Sequence, residues 1–158
     1  MKKVMFISST GGHLSELLQL TPLFKEYDYF LVTEKTKSTA SLAEKHPGKT
    51  SYLTYGTKSH LLSYLFKFTN NIIKSLFLFI KIRPQVVVTT GTHTAVPMCY
   101  IAKLFGKKVI FIETFANSKT KTKAGSLVYP IADVFIVQWE SMLELYPKAI
   151  YGGWIYWF

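Results

Sequence analysis

Apolar residues recur along this chain in short blocks separated by polar turns, and the spacing inside the blocks switches between continuous and helical. Residues 4–8, 29–33, 86–89, 109–112 and 134–137 are near-continuous apolar runs, the pattern of strands buried on both faces. A weaker run at 51–54 predicts a further strand. Apolar positions three and four apart predict helices over 14–24, 61–82 and 95–105, with shorter helical pieces over 38–45, 126–132 and 141–145. Pro47-Gly48, Arg83-Pro84 and Gly106 supply the stops. Alternating strands and helices predict an α/β fold: a single Rossmann-like, doubly wound, mostly parallel sheet over residues 1–151, followed by a short tail, 152–158.

In such a sheet ligands bind beyond the carboxyl ends of the strands. The first end is Ser8-Ser9-Thr10-Gly11-Gly12-His13, a polar turn leading straight into a helix. Adjacent glycines let a ligand approach the backbone, and free N–H groups at a helix start favour an anion. Thr89-Thr90-Gly91-Thr92-His93-Thr94 repeats that logic before the helix containing Pro97. The plainer expectation there is N-capping by Thr92 or Thr94. Neither turn fits the phosphate loop ending in Gly-Lys-Ser/Thr or the Gly-x-Gly-x-x-Gly dinucleotide fingerprint.

Charge narrows the partners. Lys and Arg number 19 against 9 acids, giving a net +10 that calls for an anionic partner. Aromatic residues make up 16% of the chain, but they sit in apolar runs and form no basic–aromatic ladder. An anionic membrane surface is therefore expected, and nucleic acid is not. The 61–82 segment carries Lys67, Lys74 and Lys81 at intervals of seven, with Ser63, Asn70 and Asn71 near the same stripe and Phe77 among the apolar remainder. Its longest unbroken apolar run, 76–80, is far below the ~20 residues needed to span a bilayer. An amphipathic helix lying in the interface with snorkelling lysines fits this pattern, and the plain alternative is a core helix with a solvated lysine stripe. Cys99 is the only cysteine, so disulfides and thiolate metal sites are excluded, and its apolar surroundings predict an inert thiol. The apolar part of the N-terminal strand is too short for a secretion signal, which makes a cytoplasmic location the expectation.

Several of these segments also carry a family resemblance. Ser9-Thr10-Gly11-Gly12-His13, the stretch from Thr89 to Pro97 and Phe111-Ile112-Glu113-Thr114-Phe115-Ala116 resemble the Alg14 family. So do Tyr129-Pro130-Ile131-Ala132-Asp133, Val137-Gln138-Trp139 and Tyr146-Pro147-Lys148-Ala149, in order over nearly the whole chain. The resemblance implies a domain similar to the N-terminal half of a MurG-like GT-B glycosyltransferase. It would work with a separate Alg13-like chain that binds the UDP-sugar. The acceptor would be a polyprenyl-diphosphate-linked saccharide for capsule or exopolysaccharide, at the cytoplasmic face of the cell membrane. A chain of 158 residues supplies one of the two domains a GT-B site needs.

The same resemblance implies roles for individual positions. Thr10, Gly11 and Gly12 would approach the acceptor diphosphate, with Thr90, Gly91, Thr92, His93 and Thr94 beside them. His13 is either the general base for the acceptor hydroxyl or a structural histidine bonded to a neighbouring loop. Glu113 orients His13, binds a sugar hydroxyl, or serves as a capping carboxylate. Asn117 stands where similar sequences often carry arginine, so the anion contact passes to it or to Lys119, Lys121 or Lys123. No metal and no cofactor is expected. Trp154, Ile155, Tyr156, Trp157 and Phe158 would hold the partner chain, with membrane insertion as the second choice. From a different class comes a non-catalytic scaffold that only recruits an active transferase.

Overall fold

A computed structural model describes residues 1–56 and 60–156. Seven strands form one sheet: β1 (Lys3–Ile7), β2 (Asp28–Glu34), β3 (Thr50–Leu53), β4 (Val86–Thr89), β5 (Lys108–Ile112), β6 (Val134–Val137) and β7 (Ile150–Tyr151). Their order is β3-β2-β1-β4-β5-β6-β7, and every neighbouring pair is parallel. The expected mostly parallel sheet is thus parallel throughout. The helices are α1 (Gly12–Leu18), α2 (Leu42–Lys45), α3 (Leu61–Ile82), α4 (Val96–Leu104) and α5 (Lys123–Val128).

Strand side chains alternate between two cores, which is what double winding requires. Met5 and Ile7 pack with Phe79, Met98 and Val128 under α3, α4 and α5. Val4 and Phe6 pack on the opposite face with Leu14, Leu17 and Leu42 of α1 and α2. Each fully buried aliphatic or aromatic side chain contributes about 1.5–3 kcal/mol to this two-sided core.

Boundaries differ from expectation where local chemistry overrides periodicity. The predicted 14–24 helix splits into α1 and a 3₁₀ turn, Thr21–Lys25, because Pro22 cannot continue an α-helix. Thr21 Oγ1 donates to the Leu18 carbonyl at 2.7 Å and closes the first piece. The predicted 126–132 helix starts earlier, as α5, because Thr122 Oγ1 accepts from the Gly125 N–H at 2.9 Å. The expected helical piece at 141–145 is a 3₁₀ turn, Glu140–Leu143. β7 has no counterpart in the sequence analysis; two exposed residues give no periodic signal.

Helix α3 keeps its predicted span but not the expected position of its polar residues. Its inward positions are Asn71, Ser75, Phe79 and Ile82. Asn71, grouped by the sequence with the solvated stripe, is buried because it serves as a backbone surrogate. Its Oδ1 accepts from Thr54 N at 2.8 Å and its Nδ2 donates to Thr54 O at 2.9 Å. Leu62, Phe66, Ile73, Phe77 and Ile80 point outward instead, with Leu62 84% and Phe66 80% exposed. At about 3.6 residues per turn, Lys67, Lys74 and Lys81 fall along one flank of that apolar arc. Among the described residues no helix is long and apolar enough to cross a membrane.

Candidate functional site

The strand order reverses between β1 and β4, adjacent parallel strands from which the sheet is wound first one way and then the other. Beyond their carboxyl ends lies a cleft of about 290 Å³, lined by His13, Gly91, Thr92, His93, Glu113, Thr114, Thr122, Lys123 and Ala124. Four chain segments converge there: the start of α1, the turns that follow β4 and β5, and the start of α5. Short parallel strands of matched register bring them to a common level.

His13 opens α1 immediately after the glycine pair. Its Nδ1 lies 2.9 Å from the carbonyl oxygen of Thr90. A carbonyl only accepts, so Nδ1 carries the proton and Nε2 is left as the ring's acceptor. Thr90 Oγ1 in turn donates to the His13 carbonyl at 2.6 Å, and the two glycine turns are locked to each other. Gly91 has φ of +98°, and a Cβ built there would stand 3.2 Å from His13 Nδ1. A side chain at this left-handed position would also crowd that ring by a few tenths of an ångström. Gly11 also has positive φ, +75°, and an added Cβ at Gly11 or Gly12 would meet nothing within 4 Å. The backbone of the first turn therefore faces open space rather than protein.

Glu113 is brought to the same cleft, but it does not orient His13; Thr90 does. The Glu113 side chain is held by its own neighbours and is only 2% exposed. Thr122 Oγ1 lies 2.8 and 3.0 Å from its two oxygens, Tyr146 Oη donates at 2.8 Å and Thr114 N at 3.1 Å. Burial first, then the bond and charge of Glu113, push the Tyr146 phenol well above its ordinary range. Tyr146 therefore stays protonated and serves as a permanent donor to the carboxylate.

The remaining sequence-predicted residues divide. Gly91, Thr92 and His93 line the cleft. Thr92 Oγ1 is buried without a hydrogen-bond partner, an orphaned polar atom in the cleft wall. Thr94 is turned away, donating to buried Glu34. Neither Thr92 nor Thr94 caps a helix through its side chain. Thr10, Gly11 and Gly12 are not among the lining residues. Asn117 closes its own turn, where its Oδ1 and Nδ2 bond Thr120. Lys123, the last of the lysines that follow it, reaches the cleft.

Two functional supports were missed by sequence reasoning. Glu16, 2% exposed, accepts from Thr114 Oγ1 at 2.7 Å and from the Phe115 N–H at 3.2 Å, fixing the loop that carries Glu113. Its signal was legible: a carboxylate three residues after His13 falls on the face that Leu17 buries. Gln138 Nε2 donates to Glu16 Oε2 and to the Glu113 carbonyl, both at 2.9 Å, and its Oε1 accepts from Ile155 N. The described part of the tail is thereby tied to the site loop. Trp154 and Tyr156 stack edgewise on Phe115, and Trp154 also meets Trp139. The tail contacts expected of Trp157 and Phe158 lie outside the described residues.

A family model described as "Oligosaccharide biosynthesis protein Alg14 like" matches residues 4–155. The chain belongs to the Alg14 family. Among curated relatives, mouse "UDP-N-acetylglucosamine transferase subunit ALG14" is 30% identical over 177 residues, covering 96% of this chain and 82% of the mouse protein. The human protein of the same name is 27% identical, covering 95% of this chain and 81% of its own length. Among solved structures, Acinetobacter baumannii MurG superposes with a TM-score of 0.73 at 17% identity, over 89% of this chain and 43% of MurG. At that identity MurG shows the fold alone, and this Alg14-family chain spans less than half of its length.

Proposed function

We propose that this Alg14-family chain is the acceptor-binding, membrane-recruiting subunit of a two-chain glycosyltransferase. The partner is an Alg13-like chain that binds UDP-N-acetylglucosamine, and the acceptor is a polyprenyl-diphosphate-linked saccharide. The relatives' names support the sugar and the division into subunits. One observation carries the lipid-linked acceptor. The His13 cleft adjoins α3, because the Tyr64 ring of α3 meets the His93 ring of the cleft wall with centroids 5.7 Å apart. A ligand with a charged head and an apolar tail fits that junction, its head in the cleft and its tail along the outward face of α3.

In this reading His13 Nε2 takes the proton of the acceptor hydroxyl. The freed oxygen attacks the anomeric carbon of the donor sugar, and the bond to UDP breaks with its electron pair leaving on the diphosphate. Configuration at that carbon inverts. Lys123 in the cleft and the open Gly11-Gly12 turn that precedes His13 receive the acceptor diphosphate. Glu113, saturated by internal donors, holds Thr122 and the start of α5 in place rather than moving a proton. No step in this mechanism calls on a metal. The chain works at the cytoplasmic face of the membrane, and its product feeds polysaccharide assembly of the capsule or exopolysaccharide type. Trp154 and Tyr156, stacked beside the cleft, present the partner-docking surface.

The internal saturation of Glu113 is the one observation favouring the scaffold alternative. His13→Ala separates the two, measured as steady-state sugar transfer by the reconstituted pair. A base loses about 100-fold or more in kcat, with partner binding retained; a scaffold retains full activity.

A further inference from the structure

A second cleft opens on the same sheet edge, beyond β2 and β3. It has a volume of about 360 Å³ and is lined by Lys35, Tyr52, Leu53, Thr54, Tyr55, Lys67 and Lys74. Among the described residues, none of its three ammonium groups has a carboxylate within ion-pair distance; the ion pairs present lie elsewhere, on Asp28 and Asp133. Like charges gathered in one cleft without a counter-ion repel each other, and an anion relieves that repulsion. The walls are fixed. Thr54 is clamped by both amide bonds of Asn71, and its Oγ1 receives Lys74 Nζ at 2.9 Å and Asn70 Nδ2 at 3.0 Å. The Tyr52 hydroxyl is anchored on the Thr39 carbonyl at 2.7 Å.

Position decides which anion. Lys67 and Lys74 belong to the lysine flank of α3, directly beside the arc of Phe66, Ile73 and Phe77 that faces outward. An apolar face lying in a bilayer brings this flank to the level of the phosphates. We propose that the Lys35–Lys67–Lys74 cleft is a phosphate-binding site for the headgroup of an anionic phospholipid, separate from the His13 cleft. The location of the ligand rests on the membrane reading given above; the phosphate chemistry of the cleft does not.

Two arms test this on the full chain. In solution, inorganic pyrophosphate is titrated while backbone amide shifts are followed by NMR. Saturable shifts at Lys35, Thr54, Lys67 and Lys74 are expected, abolished in Lys35→Gln/Lys67→Gln/Lys74→Gln and retained in the corresponding triple arginine variant. On membranes, sedimentation with phosphatidylglycerol-containing vesicles is compared with pure phosphatidylcholine vesicles. The glutamine variant is expected to lose at least tenfold of the preference for phosphatidylglycerol. A charge-matched control, Lys2→Gln/Lys25→Gln/Lys45→Gln at the opposite sheet edge, keeps most of it. Equal losses in the two variants, with pyrophosphate shifts intact, overturn the bilayer headgroup and leave a soluble phosphate as ligand. Absence of saturable shifts overturns the site itself. Failure of the wild type to sediment with either vesicle, with shifts intact, overturns the membrane reading and leaves the cleft standing.

Discussion

His13 owes its position to a residue with no chemistry of its own. Gly91 sits at positive φ with the imidazole ring against its bare Cα. Gly91→Ala therefore strains the backbone by about 1–2 kcal/mol and pushes the ring off the Thr90 carbonyl. The expected outcome is a lowered melting temperature together with a loss of kcat larger than any change in acceptor KM. Glu34 shows a different cost. Burial lifts its carboxyl above the ordinary value, against the opposing bond from Thr94. Such a group penalises the folded chain once the pH rises past the unfolded-state value, and in acid the penalty is absent. Glu34→Gln is thus expected to stabilise the protein at neutral pH. The gain disappears as the pH falls below the ordinary carboxylate value of 4.5, as read by melting curves across that range. Cys99, fully buried, has its thiol pushed up to about 12 and stays inert, as its apolar neighbours in the sequence imply.

Among the elements, α3 shows most clearly what periodicity contains and what it omits. Its length and both ends follow from the apolar spacing and from Arg83-Pro84. Its orientation does not, because both faces are rich in apolar residues. The face that packs was chosen by Asn71, whose amide matches the backbone of Thr54, and by Phe79 and Ile82. Ile73→Gln/Phe77→Gln on the outward face is expected to reduce vesicle binding at least tenfold, leaving the melting temperature within about a degree, since surface changes rarely exceed ~0.5 kcal/mol. Phe79→Ala, on the inward face, is expected to cost about 3 kcal/mol in chemical denaturation. The strands were legible because parallel strands buried on both faces are continuous apolar runs. β7 was not, being two exposed residues placed by the turn before them. The two glycine turns and His13 were legible for the same reason as the strands they follow. Gln138 and Tyr146 were harder to see, since their role depends on partners 17 to 122 residues away.

At the scale of the whole molecule, the sheet edge carries a cleft, a greasy helix face and an aromatic tail side by side, on a domain spanning 43% of the MurG chain it superposes on. The tail is coupled to the cleft through Gln138, which joins Ile155 to Glu16 and to the Glu113 loop. Deleting residues 154–158 is therefore expected to weaken co-purification with the Alg13-like partner by at least tenfold, and to lower transfer activity in proportion. The proposed function makes this chain half of a transferase. Its most direct test is transfer of N-acetylglucosamine from UDP-N-acetylglucosamine to a polyprenyl-diphosphate-linked monosaccharide, assayed with each chain alone and with the pair, in excess chelator. Turnover by the pair is expected, with at most about 1% of it from either chain alone. Full turnover by either chain without the other would contradict it.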